Sequence, residues 1–247
     1  MEALQLAARM IMENGGETYR AEETVCRMGE GFGLREVESF AVPSGVFVSY
    51  RTTEGRLETG VRRVRRQDFN LTRVDEVNKI SRQVAEGRLS APVALKKLLE
   101  VEELRGPMPG AWGLFSAAVC AAGFAFLFGG GFLEAACGAV IASLIQGLLL
   151  LLRRFQEHGI AGKILGGLFT ALLPSLAGRF LPGLLVDTVI AAALMPLVPG
   201  VAMANAVQDT LRGDLISGLS HGVQALLTAC LIAGGALLSP ILLRFIP

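Results

Sequence analysis

The chain has 247 residues, a net charge of +1, 52% hydrophobic residues and only 18% charged ones. That balance is too apolar for an ordinary soluble domain, and the near-neutral total hides a division. Residues 1–106 hold 34 of the 45 Lys, Arg, Asp and Glu side chains, 17 of each sign, and the other 141 residues hold 11, which excludes both a uniformly soluble fold and a chain-wide polycation.

The first element is a helix in which Leu4, Ala7, Ala8, Ile11 and Met12 recur at helical spacing and Gly15-Gly16 stops the run. It is amphipathic and lacks the basic start and apolar core of a signal peptide, so the N-terminal region is expected to stay in the cytoplasm. A second helix is expected over about Tyr19 to Gly29. The period then changes to two: Val37, Phe40, Val42, Val46, Val48 and Tyr50 predict one or two strands bent at Pro43-Ser44-Gly45. Thr52-Thr53-Glu54-Gly55 reads as a hairpin turn into a strand over about Leu57 to Val64. Thr72 and Asp75 have capping-box spacing and open a third helix. Ser90-Ala91-Pro92 opens a fourth, with proline in the first turn, where its missing amide costs least. Arg105-Gly106-Pro107 marks a boundary. The expected organisation is a small α+β cytoplasmic domain over residues 1–106 and an all-α transmembrane domain over residues 107–247.

Arg62-Arg63-Val64-Arg65-Arg66 is the densest basic run. It reads as a solvated strand end balanced by equally numerous acids, with contact to anionic lipid headgroups as the competing reading. Nucleic-acid binding is set aside because no aromatic platform accompanies the arginines. Cys26, Cys120, Cys137 and Cys230 have no CxxC spacing and read as small buried hydrophobes. No metal-ligand cluster, phosphate loop or nucleotide fingerprint is present in the sequence, so no cofactor is expected.

The apolar part divides into about five spans of bilayer length: Ala111 to Phe128, Leu133 to Leu152, Ile160 to Ala177, Leu184 to Ala204, and Val223 to Leu243. Arg153, Arg154 and Lys163 fall between spans two and three and Arg212 between four and five, whereas Arg179 alone marks the opposite loops. The positive-inside rule then predicts the N-terminus in the cytoplasm and the C-terminus outside. Polar groups within the spans are costly unless partnered or wetted. Asp187 reads either as a proton or charge relay or as a helix-start residue favoured by the helix dipole. Glu134 reads as a helix-start residue. Gln146, Ser143, Thr170 and Ser175 are either solute contacts or interhelical hydrogen-bonding groups. Gly162-Lys163-Ile164-Leu165-Gly166 has the GxxxG form of a close-packing helix. Gly218-Leu219-Ser220-His221-Gly222 has the letters of a serine-hydrolase elbow, but lies between two apolar helices rather than after a strand.

Met195-Pro196-Leu197-Val198-Pro199-Gly200 is the most informative stretch. Two prolines and a glycine interrupt the fourth span and free backbone groups, which a bilayer tolerates only against protein or a wetted cavity. Broken helices beside polar groups build the solute sites of many secondary transporters, and Asn205, Gln208 and Asp209 follow toward the cytoplasmic side. The competing reading is a non-transporting membrane scaffold or sensor, supported by the large soluble domain.

These residues carry a resemblance. Ala8 to Thr24, with its Gly16-Glu17-Thr18-Tyr19-Arg20 turn, resembles the opening of the threonine/serine exporter family. The hairpin to Arg62-Arg63-Val64 is similar to that family's, as is Leu197-Val198-Pro199-Gly200-Val201 with Asn205, Asp209 and Gly213-Asp214. The resemblance implies an inner-membrane secondary exporter of threonine and serine or of a dicarboxylate such as succinate, drawing on the proton gradient or membrane potential. With only five spans, the chain looks like the larger, YjjP-like subunit of the split form. That implies a small YjjB-like membrane subunit as partner, assembly in the lipid bilayer, and room for oligomers. The resemblance covers Pro199, Gly200, Asn205 and Asp209; with Asp187, Pro196, Gln146 and Ser175, read from the break and the polar groups in the spans, these are the candidate pathway residues. An odd span count would give a second half inverted topology, so this chain is expected to supply one half of a pathway.

Overall fold

The computed structural model describes residues 1–65, 69–104, 110–153 and 159–244. Arg66, Arg105 to Pro107 and Arg154, singled out above, lie outside the described residues. The described chain holds ten α-helices, one short 3-10 turn and one three-stranded antiparallel sheet. It forms two compact units: Met1–Pro107 together with Val201–Val223, and Met108–Gly200 together with Gln224–Pro247.

The first unit begins with α1 (Glu2–Glu13), α2 (Thr18–Gly31), β1 (Arg35–Val42), β2 (Gly45–Arg51), β3 (Leu57–Arg63), α3 (Leu71–Ala85) and α4 (Ala91–Glu103). This unit also takes in Val201–Val223. That later segment carries most of α9 (Gly200–Leu211) and the start of α10 (Leu215–Leu243). Leu4, Ile11, Val25, Met28, Val46, Val48, Val77, Val84 and Leu98 are fully buried in one core. Each contributes up to about 1.5–3 kcal/mol of apolar transfer energy.

Gly15 takes φ +85°, and Gly16 donates its amide to the Ile11 carbonyl at 2.9 Å, closing α1. A Cβ on Gly16 would lie 2.5 Å from the Ile11 side chain, so the second glycine is needed for space rather than for φ. The cap of α3 differs from the capping box expected at Thr72 and Asp75. Asn70 is the N-cap, its side chain accepting from the Arg73 amide at 3.2 Å, and Thr72 lies inside the helix. Asn70 wins because its amide also donates to the Asn14 carbonyl at 3.1 Å, tying this turn to the end of α1. Arg73 in turn donates to the carbonyls of Glu102 and Leu104 at 2.9 and 2.6 Å, satisfying the end of α4. In the sheet, Phe40 pairs with Phe47 and Phe47 with Val61 on an exposed face, while Val46, Val48 and Tyr50 face the core.

The second unit contains α5 (Gly110–Leu127), α6 (Phe132–Arg153), α7 (Ile160–Phe180), α8 (Val186–Leu194), the turn Met195–Leu197, and α10 from Gln224 onward. Four helices, α5, α6, α7 and α10, are long and apolar enough to cross a membrane, and the broken pair Val186–Leu197 and Gly200–Leu211 makes a fifth if counted as one span. The fifth span was expected from Val223, but its helix begins at Leu215; its 29 residues measure about 43 Å, longer than a hydrocarbon core. Ala117, Ala121 and Ala125 form a buried stripe on α5. Glu134 accepts from the Gly131 amide at 2.7 Å and from the Leu185 amide at 3.1 Å, so one carboxylate caps the starts of both α6 and α8. Glycines set the closest approach of α7 and α10: a Cβ on Gly167 would strike the Ile232 carbonyl, and one on Gly235 the Ile164 carbonyl. Gly162 and Gly166 of the GxxxG run meet only the side chains of Leu149 and Leu197.

Candidate functional site

The polar residues singled out in the sequence fall into two groups, one in each unit. In the second unit, α8 ends at Leu194, a 3-10 turn carries Met195-Pro196-Leu197, Val198 is extended, and α9 starts at Gly200. Pro196 sits at the start of the turn, where its fixed φ fits. Asp187 occupies the first turn of α8 and is exposed. Gln146 is half-buried, with its amide nitrogen 3.7 Å from where a Cβ on Gly113 would stand. Ser175 bonds back to the Ala171 carbonyl of its own helix at 2.7 Å, and Ser143 bonds across to the Leu114 carbonyl at 3.2 Å. Lys163 donates to Thr228 of α10 at 2.8 Å.

In the first unit the α1–α2 junction and the α9–α10 hairpin converge. Gly213, at φ +91°, turns the chain between α9 and α10, and Asp214 donates its amide to the Asp209 carbonyl at 2.9 Å. Asp209 is fully buried. Its Oδ2 accepts from Thr18 Oγ1 at 3.3 Å and lies 2.9 Å from His221 Nδ1, and its Oδ1 is buried without a hydrogen-bond partner. A carboxylate only accepts, so with Asp209 ionised the shared proton sits on Nδ1. Asn205 Nδ2 donates to the Gly15 carbonyl at 3.4 Å. The Arg212 guanidinium stacks 3.5 Å from the Tyr19 ring centroid, and Arg20 pairs with Glu17 at 2.7 Å. Glu22 accepts from the Ala41 amide at 2.7 Å; burial, reinforced by Asp214 and Asp209, pushes its carboxyl above the ordinary value against that hydrogen bond.

Thr18, Tyr19 and His221 were missed as partners of Asp209 and Arg212. The hydrolase-like letters at 218–222 did flag the place but not the chemistry. The motif lies inside α10, not between two helices: a Cβ on Gly218 would strike Thr210, Gly222 faces Ala206, Ser220 bonds its own helix at Ile216, and His221 turns to Asp209. Two glycines and a histidine thus serve helix packing and a buried pair. Among the described residues no group of three or more His, Cys, Asp or Glu could hold a metal.

A cavity of about 430 Å³ opens beside this cluster, lined by Gly16, Glu17, Arg20, Asp75, Asn78, Asn205 and Gln208 among others.

Residues 2–242 match the model of the family described as "Putative threonine/serine exporter". The chain is similar to the "Probable threonine/serine exporter" of Mycobacterium tuberculosis, 24% identical over 92% of this chain and 43% of that protein. It is also similar to the "Probable succinate transporter subunit YjjP" of Klebsiella aerogenes, 26% identical over 92% of this chain and 88% of that one. The Escherichia coli protein of the same description is 26% identical over 91% and 87%. The chain therefore spans under half of the mycobacterial relative and most of the two subunit relatives. No solved structure matches the chain.

Proposed function

We propose, for a chain that belongs to the threonine/serine exporter family, that it is one subunit of a secondary exporter of small polar metabolites in the inner membrane. The solute is threonine or serine, or a dicarboxylate such as succinate. The observation that carries the reading is the break between the helices Val186–Leu197 and Gly200–Leu211, an apolar pair bent by 63°. A break of this kind leaves backbone dipoles for a solute at a place where an unbroken span would offer none. Pro196, Pro199 and Gly200 form the break, Asp187, Gln146 and Ser175 are pathway candidates, and Asn205 and Asp209 stand toward the cytoplasmic end. The high coverage of relatives described as subunits supports a small second membrane subunit, which would complete the pathway. The charge pattern supports a cytoplasmic N-terminus and an outer C-terminus. The drive in this reading is the proton gradient or the membrane potential.

Export from cells loaded with threonine or with succinate tests this. Deleting the gene is expected to abolish export of one of them, and Pro199→Ala and Asp187→Asn to lower it at unchanged protein level. Export unchanged by deletion would favour the scaffold or sensor reading.

A further inference from the structure

We propose that the cavity in the first unit is a binding site for a small α-amino acid zwitterion, and that its charge selects against a dicarboxylate. This rests on the exporter reading, which leaves open both solute classes.

Three helices build the site, each with one face. Leu71, Val74, Asp75 and Asn78 of α3 follow the i, i+3, i+4, i+7 pattern, and so do Val201, Ala204, Asn205 and Gln208 of α9. The third wall is Gly15, Gly16, Glu17 and Arg20 at the start of α2. On both four-residue faces the apolar pair comes first and the polar residues follow, so each wall has an apolar and a polar part. The volume, about 430 Å³, falls within the range of about 300–1,000 Å³ typical of small-molecule pockets.

The polar groups are of three kinds, and each has a counterpart on an amino acid. Arg20, whose Nε is held by Glu17 at 2.7 Å, presents its other guanidinium N–H groups to a carboxylate, beside a helix start that no side chain caps. Glu17 and Asp75 supply carboxylates for an ammonium. Asn78, Asn205 and Gln208 supply amides for a hydroxyl or a second contact with the carboxylate. Asn205 is already held by the Gly15 carbonyl, so this wall is positioned before any ligand arrives.

Charge decides between the two solute classes. The lining carries one cation, Arg20, against two anions, Glu17 and Asp75. Lys79 pairs with Asp75 at 2.8 Å but also with Glu76 at 2.7 Å, so those two neighbours together add no net charge. A zwitterion presents its ammonium to the surplus acid. A dicarboxylate presents a second negative charge to it with no second cation on the lining.

The test is calorimetric titration of the purified full-length chain with L-threonine, L-serine and succinate, with hydrogen exchange over residues 15–20 and 201–208 as the second readout. The expected result is binding of an amino acid with slowed exchange in both segments, and no binding of succinate. Arg20→Gln and Asp75→Asn each weaken binding about tenfold, the loss of one charge-assisted contact. Both side chains are exposed, so melting temperature should be unchanged. Succinate binding as tightly as the amino acids overturns the charge argument. So does unchanged amino-acid affinity in both variants, and absence of binding by any of the three overturns the site. Export lost on gene deletion while none of them binds would overturn the cavity and leave the exporter reading intact. Binding here with export unaffected by deletion would do the reverse.

Discussion

His221 Nδ1 lies 2.9 Å from Asp209 Oδ2, and both side chains are shut away from solvent. The two residues sit twelve positions apart on either side of the Gly213 turn, so the pair locks the α9–α10 hairpin to itself and, through Thr18, to α2. Removing one member of a buried pair leaves the other unpaired, which costs more than removing both. His221→Ala and Asp209→Ala are each expected to destabilise the hairpin by about 2–3 kcal/mol. The double variant should cost clearly less than the two combined. Hydrogen exchange over residues 200–223 reads all three.

Arg212 over Tyr19 is a more exposed tie between the same elements. Tyr19→Phe keeps the ring face and should leave exchange at residues 211–215 near that of the parent. Tyr19→Leu should speed it by an amount equivalent to about 0.5–1 kcal/mol. Equal effects of the two substitutions would show that the Tyr19 hydroxyl, which accepts from Arg20, matters more than the ring.

Glu22 gives the first unit a pH dependence of defined sign. Its carboxyl is pushed up chiefly by burial, opposed by the hydrogen bond from Ala41 and aided by Asp214 and Asp209. A carboxyl with a higher pKa folded than unfolded favours folding while protonated; that contribution is full below the unfolded value, about 4.3, and is lost as pH rises through the folded value. Glu22→Gln keeps an oxygen for the Ala41 amide and removes the charge. It is expected to raise the melting temperature at neutral pH and to leave it unchanged in acid below the ordinary carboxylate range. A lower melting temperature at neutral pH would mean that the ionised form is the stabilising one.

In the second unit, glycines give a sharp contrast. A Cβ on Gly167 or Gly235 meets backbone on the facing helix, which cannot move aside as a flexible side chain can, whereas one on Gly234 meets nothing within 4 Å. Gly167→Ala and Gly235→Ala are expected to cost about 1–3 kcal/mol or more. Gly234→Ala should be neutral or stabilising by roughly 0.5–1 kcal/mol through helix propensity. Thermal stability in detergent, followed through Trp112 in the same unit, separates them.

The elements that local chemistry controls were legible in the sequence. The end of α1 at Gly15-Gly16, the strand period from Val37, the proline start of α4 and the first three apolar spans stand close to where spacing and composition put them. What was not legible depends on residues far apart in the chain. Asn70 displaced Thr72 as a cap because its backbone also meets Asn14, fifty-six positions earlier, which no local motif encodes. Asp209 was picked out for its charge, but its partners Thr18 and His221 lie on two other helices. Gly167, one residue beyond the GxxxG letters, carries the helix approach together with Gly235 of α10, because the pattern reports small residues on a helix and not which face the neighbour takes.

The makeup of the first unit also imposes an order in time. One wall of its polar cluster and cavity, Val201–Val223, is separated from the rest by the whole 108–200 stretch. A ribosome needs on the order of 5–20 s to make that stretch. Throughout that interval α1 to α4 exist without Asn205, Asp209 and His221, so the Thr18 hydroxyl and the Gly15 carbonyl must wait in water for their partners. The unit can close only after α5 to α8 have been synthesised. Completion of the polar part is thereby a record that α5 to α8 have already been made, and a chain arrested before residue 200 would carry an N-terminal unit that lacks this wall.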